Sequence, residues 1–440
     1  MAVSFLNLEV SDLCLGKPSL RWIAAEATVS EALTALKRSE ENYLSVWKCC
    51  ADESCVCVGK ICTADVICFL CRKENLVNPF KAFEATVSDI LPKGVSVVRH
   101  LDPKSSLLEA IDCILEGAQN LVIPIQNQRS TYSRKKFLNK QSSYCWITPE
   151  DVIRFLLNSI GVFSPIPTST IESLNIIDQD IMTVHFHDPA SSALDYISRA
   201  LVQQTSIAVV DDEDRIIGEI SPLSLACCDE TVAAAIATLS AGDLMSYIDY
   251  GGPPEDLVEM VKIKLEERNL EAMLELMEEY EFGSVSGSGS SRHGKAGRYF
   301  PARSSEAILC NPRSSLVAVM IQALAHRVMT GSWLETLKAA NYSRENYAKN
   351  EFGSVSGLGS SRHGKAGRYF PARSSEAILC NPRSSLVAVM IQALAHRVSC
   401  VWVVGEDHTL VGAVTFAGML KVLRSVDRDH KPESENLFKQ

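Results

Sequence analysis

The stretch "TVHFHDPASSALDYISRALVQQTSIAVVDDEDRIIGEISPLSLA", Thr183 to Ala226, decides the fold. It opens as an alternating run, breaks at Asp188-Pro189, and resumes with Leu194, Ile197 and Leu201 at helical spacing. Proline fixes φ and cannot donate to a ladder, so the break reads as a turn that starts a helix with one buried face. From Ser206, "SIAVVDDEDRIIGEIS" carries two apolar β runs around an acidic turn, and a second helix follows. The unit is strand, helix, strand, strand, helix.

The same plan recurs along the chain. "DPKSSLLEAI" from Asp102 and "NPRSSLVAVM" from Asn381 repeat the turn, and Ser106 with Glu109 has the spacing of a capping box, as do Thr28 and Glu31 in "EATVSEAL". Apolar stripes at Val29, Leu33, Leu36, at Leu107, Ile111, Leu115 and at Leu386, Met390, Leu394 give each unit a buried helix face. Units begin near Val10, Val87, Ile176 and Ala377. Each leaves an apolar sheet face, so four units are expected to pack sheet to sheet as two modules, an α/β (α+β) fold with helical and disordered insertions. Irregular spacing and large inserts argue against a solenoid.

These units resemble the CBS-domain family, whose β-α-β-β-α motifs pair into Bateman modules. The matches lie at the strand-to-helix ends: "WITPEDVIRFL" from Trp146, "GAVTFAGMLKVL" from Gly412, "GKICTADVICFL" from Gly59 and "GEISPLSLA" from Gly218. The chain looks most like the plant stand-alone proteins with four CBS motifs. On that resemblance, residues 8–75, 84–160, 174–245 and 376–427 are motifs 1 to 4, with a basic loop at 127–142. An acidic helical insertion spans 253–280, a flexible linker with a partial duplicate of motif 4 spans 281–350, a second flexible linker spans 351–375, and a polar tail spans 428–440.

In the family the cleft between paired motifs often takes an adenine nucleotide, with G-x-hydrophobic-[Thr/Ser]-x-x-Asp on its ribose and phosphate. A carboxylate at a helix start can accept ribose hydroxyl protons, while the hydroxyl and free amides of that turn face phosphate. Thr148 and Asp151 keep both parts. Asp65 keeps the carboxylate but has Cys62 for the hydroxyl residue, with Thr63 beside it. Ser221 and Thr415 keep the hydroxyl, but Ser224 and Gly418 replace the aspartate. Arg99 and His100 are the expected phosphate partners. The resemblance thus implies a non-enzymatic regulatory protein, its N-terminal module sensing AMP, ADP or ATP and its surface modulating a partner protein such as a kinase. A nucleotide-independent scaffold, or a gamma-like subunit of an energy-sensing kinase, is the alternative. Thr148 and Asp151 serve equally well as a simple helix cap.

Composition bounds the partners. A formal charge of −10 over 440 residues argues against nucleic-acid or anionic-membrane binding, and no apolar run approaches the length of a bilayer span. Fifteen cysteines, without a framework or a secretory leader, point to reduced thiols in the cytoplasm, with the nucleus not excluded. The "CCADESCVC" group from Cys49 lacks zinc spacing, and His185 and His187 share a strand face without a third ligand, so no metal or cofactor is expected. Homodimerisation through the modules fits the resemblance. The run from Gln128 to Lys140 holds five Lys or Arg residues and reads as a surface loop suited to an acidic partner. Pro253 to Tyr280 reads as an acidic amphipathic helix packing on the second module through Leu257, Met260 and Ile263, then Leu270, Met273, Leu274 and Met277.

Glu281–Val328 recurs as Glu351–Val398 with one difference, Ser288 against Leu358. Within it "GSSRHGKA", Gly289 to Ala296, is one hydroxyl short of a P-loop, but it follows a Gly/Ser stretch and precedes Gly and Pro, where a P-loop needs a strand and a helix. Only the second copy runs on into a β hairpin, "SCVWVVGEDHTLVGAVTF", so only it completes a motif. Removing seventy residues restores an uninterrupted four-motif chain.

Overall fold

The computed structural model describes residues 5–39, 42–49, 55–92, 97–125, 143–249, 253–286 and 376–425. The basic loop, most of the first copy of the duplicated passage, its near P-loop and the polar tail lie outside the described residues.

Four three-stranded sheets carry the fold, each with one parallel and one antiparallel pairing. The first holds β1 (Trp22–Ala24), β2 (Tyr43–Cys49) and β3 (Cys55–Cys62), with helices α1 (Val29–Arg38) and α2 (Thr63–Leu70). The second holds β4 (Val98–His100), β5 (Asn120–Ile125) and β6 (Ser143–Ile147), with α3 (Leu107–Leu115) and α4 (Pro149–Leu157). The third holds β7 (Thr183–His185), β8 (Ile207–Val210) and β9 (Ile216–Ile220), with α5 (Leu194–Gln203), α6 (Pro222–Leu225) and α7 (Val232–Thr238). Two helices follow, α8 (Glu255–Glu267) and α9 (Glu271–Ser286). The fourth holds β10 (Leu379–Cys380), β11 (Cys400–Val404) and β12 (Leu410–Thr415), with α10 (Leu386–His396) and α11 (Phe416–Ser425).

The sheets pair as their apolar faces require. Trp47, Cys57, Val97, Val98, Val122 and Trp146 close the first sheet on the second, and Ala208, Val210, Cys400, Trp402 and Ala413 close the third on the fourth. The two modules then meet through helices, α2 against α5 and α6, and α11 against α3 and α4. Arg424 on α11 ties this contact with a forked pair of bonds to Asp112 on α3, at 2.8 and 3.2 Å.

Three features depart from the sequence expectation. The acidic segment is two helices, broken where Asn269 takes a left-handed φ of 55°. In α8 the buried stripe is Leu257, Val261 and Leu265, while Met260 and Ile263 are exposed, because four-residue spacing faces α7. Through α9 the segment also packs on the short helices Lys73–Val77 and Pro79–Ala82 of the first module, where packing on the second was expected. Finally, Cys49 and Cys55 form a disulfide where reduced thiols were expected. They face each other across β2 and β3 with Cα atoms 4.0 Å apart, within reach of a bridge.

Candidate functional site

Short leading segments before the first and third sheets set the geometry of the strand-to-helix ends. The Leu20 amide donates to the Tyr144 carbonyl of β6, at 2.8 Å, and Asp178 exchanges both backbone bonds with Ala413 of β12, at 2.8 and 2.9 Å. Each leading segment therefore runs beside the turn where the next unit's expected ligand residues stand.

In the second unit this brings Lys17 onto Asp151. Thr148 and Asp151 form a complete capping box: Asp151 Oδ2 accepts from the Thr148 amide at 2.9 Å and from its hydroxyl at 2.8 Å, and Thr148 Oγ1 accepts from the Asp151 amide at 3.3 Å. The Lys17 ammonium reaches that same Oδ2 at 2.7 Å. The Cys14 thiol, three residues earlier, is hydrogen-bonded to Cys145, and that bond together with Lys17 holds it below the usual thiol range. The sequence pattern is present, yet its carboxylate already meets three donors.

The other expected residues are dispersed. Asp65 accepts from the Cys62 amide at 2.7 Å, and burial raises its carboxyl above the ordinary range. Arg99 pairs with the exposed Glu116 at 3.3 Å, while His100 stands between Trp47 and Tyr144 with its Nε2 within 3.3 Å of the Cys57 backbone. The two side chains point to opposite faces of β4, as adjacent strand residues must. Ser221 is buried and caps α6 by accepting from the Leu223 amide at 3.2 Å. The His185 amide donates to Asp188, and His187 touches Phe186. Among the described residues no group of three or more His, Cys, Asp or Glu side chains could hold a metal ion, and no helix is long and apolar enough to cross a membrane.

Of the seven expected nucleotide residues, Thr415 alone lines a cleft of about 400 Å³ between the two modules, walled by Leu115, Gln119 and Pro149 of the first and by residues of the second. On the second-module side Ile181, Met182, Trp402 and Ala413 are apolar, and Asp178, Asp180 and Gln203 are exposed. Thr415 Oγ1 accepts from the Gly418 amide at 3.2 Å and so caps α11, which leaves its proton to give. The Thr205 hydroxyl is buried without a partner in the structure, which costs free energy unless a ligand or water supplies one. At Gly418, where the family pattern has aspartate, a Cβ would lie 3.4 Å from the Ile176 carbonyl. That is ordinary contact with the leading segment, and Asp178 and Asp180 on that segment line the same cleft. Asp178, Asp180 and Thr205 were missed by sequence reasoning. None belongs to a repeated motif, and their place at the cleft follows only from the pairing of Asp178 with Ala413.

Four β-α-β-β-α units closed in pairs, each hydroxyl residue of the sequence pattern standing at the start of its second helix, define a paired-motif module of the regulatory type. The chain is 42% identical to CBS domain-containing protein CBSX5 of Arabidopsis thaliana, over 96% of its own length and 98% of the relative's. The chain belongs to the CBS domain-containing proteins, of the plant stand-alone kind. It is also 19% identical, over 55% of its length and 77% of the relative's, to the Arabidopsis SNF1-related protein kinase regulatory subunit gamma-like PV42b. Among solved structures it is similar to a Methanocaldococcus jannaschii protein described as an archaeal homolog of g-AMPK, at 14% identity and a TM-score of 0.48, over 94% of this chain and 99% of that one. No protein-family model matches the chain.

Proposed function

We propose that this is a non-enzymatic regulatory protein in which an adenine nucleotide bound in the cleft at Thr415, between the two modules, alters how the chain engages a partner protein. The observation that carries the reading is the cleft at Thr415. Apolar lining from Leu115, Ile181 and Val202 can take a purine face, Thr415 supplies a hydroxyl, the buried Thr205 hydroxyl lacks a partner, and α11 begins at the edge with first-turn amides that have no helical acceptor. The lining is drawn from both modules, Leu115 and Gln119 of the first and Met182 and Thr415 of the second, so a ligand there favours one arrangement of the two, and its effect is a shift of population between arrangements. This moves the expected site from Thr148 and Asp151 to the cleft at Thr415.

Isothermal titration of AMP, ADP and ATP into the full chain tests it. Saturable binding is expected, weakened about tenfold by Thr415→Val, which removes the hydroxyl at nearly constant volume. No saturable heat at millimolar nucleotide would sink the reading.

A second reading is a nucleotide-independent scaffold of the gamma-like kind, with a kinase as partner. The engagement of Asp151 by Lys17 and the missing carboxylate at Gly418 favour it. Affinity capture with and without nucleotide separates the two, because a scaffold keeps the same partners in both conditions.

A further inference from the structure

The charges around the Thr415 cleft bear on what it can hold. Its described lining contains two carboxylates, Asp178 and Asp180, and neither Lys nor Arg. Asp178 is fixed in place: its backbone pairs with Ala413, and its Oδ1 accepts from the Asp180 amide at 3.0 Å. Asp180 has a cation near it, Arg199 at 3.9 Å, but both side chains are exposed and the pair is too loose to cancel the charge. The attraction for an anion comes from the start of α11, equivalent to about half a positive charge and confined to its first turn. A single phosphate would meet that half charge, and each further phosphate adds negative charge to a cleft that already holds two carboxylates.

We infer that Asp178 and Asp180 set the specificity of the cleft against polyphosphates, so that it takes a nucleoside or a nucleoside monophosphate and rejects the triphosphate. The inference rests on the proposed nucleotide reading and adds to it which member of the class is bound and which residues choose. The unpartnered Thr205 hydroxyl and the apolar lining at Leu115 and Ile181 serve the nucleoside end, which all members share. Discrimination therefore falls on the phosphate end alone. It is a contest between formal charges at a solvated rim, which salt screens over about 8 to 10 Å.

The experiment is a calorimetric titration of the full chain with adenosine, AMP, ATP and ATP with Mg²⁺, at low and at high NaCl. AMP or adenosine is expected to bind at least about tenfold tighter than ATP at low salt, with the ratio narrowing as salt rises. The double substitution Asp178→Asn and Asp180→Asn should bring ATP to within about threefold of AMP while leaving adenosine unchanged. Asparagine keeps the acceptor for the Asp180 amide, and the salt series on the unmodified chain gives an independent readout if the variant misfolds. ATP binding as tightly as AMP, or more tightly when Mg²⁺ bridges it to the carboxylates, overturns the inference but leaves the nucleotide reading standing. Absence of binding by every compound overturns both.

Discussion

Trp402 and Glu219 meet in the interior of the second module, where the indole Nε1 donates to Glu219 Oε2 at 2.7 Å. The two residues come from different sheets, β11 and β9, and are 1% and 5% exposed. A hydrogen bond to a charged group inside the protein contributes about 1.5 to 3 kcal/mol. Because Trp402 also lines the cleft, the same side chain links the pairing of the sheets to the ligand site. Trp402→Phe is expected to lower unfolding stability by about 2 kcal/mol in urea and to weaken nucleotide binding together with it. Unchanged stability would show that the bond across the sheets is dispensable.

Asp151 separates capping from ligand binding. Its carboxylate closes the capping box on α4 and receives Lys17, with both side chains about one-fifth exposed. Asp151→Ala should cost about 1 to 3 kcal/mol, the sum of a lost cap and a partly buried ion pair, while Lys17→Met should cost less because the cap survives. Neither should change nucleotide affinity. A fall in affinity with Asp151→Ala, beyond what Lys17→Met produces, would return the site to the first module.

The paired architecture was legible because proline-serine turns, helical stripes and alternating hairpins all recur in one order. What those letters do at the site was not. The glycine of "GAVT" reads as part of a motif, but its reason is tertiary: at Gly412 a Cβ would stand 2.4 Å from the Asp178 carbonyl and 2.7 Å from Ile177 Cγ2. Gly59 makes the same kind of room, for Leu91. At Gly412 a leading segment crosses the strand end, and that segment has no sequence signature of its own. Lys17 was invisible for the same kind of reason, being a lone basic residue until Leu20 pairs with Tyr144. The dispersal of Arg99 and His100, by contrast, follows from strand alternation and could have been anticipated. The apolar stripe of α8 was ambiguous between three- and four-residue spacing, and only its contact with α7 decides it.

Asp65 carries a pH signature. Burial raises its carboxyl above the ordinary range, against the bonds from Cys62 that favour the charged form. Between the ordinary value and the higher folded one, the native chain holds more proton than the unfolded chain, so stability falls as pH rises through that window and stays lower above it. Asp65→Asn keeps an acceptor for the Cys62 amide without the charge. Its melting temperature should exceed that of the unmodified chain at pH 7, and the difference should vanish below about pH 4. Thermal melts across pH 3 to 8 check this, and a destabilised Asn variant at neutral pH would mean that the ionised carboxylate earns its place.

The last prediction concerns the duplicated passage. The strand and first helix of the fourth unit are supplied by the second copy: Ser385 caps α10 by accepting from the Ala388 amide, the Leu386 amide donates to the Ser169 carbonyl at 3.0 Å, and α10 packs on α4. The hairpin that completes the sheet, β11 and β12, follows that copy directly in sequence. The first copy begins inside α9, which runs to Ser286, so deleting Glu281–Asn350 joins Tyr280 to Glu351 and restores the same residues, "EFGSVS", at the helix end. The shortened chain should therefore keep its unfolding midpoint and its nucleotide affinity. It should also be more soluble, because the deletion removes a second copy of the apolar pattern, Leu316, Met320 and Leu324, that α10 already supplies to the fourth unit. Denaturation and light scattering of the two chains side by side provide the measurement. Loss of a cooperative transition in the deletion would show that the first copy is structural.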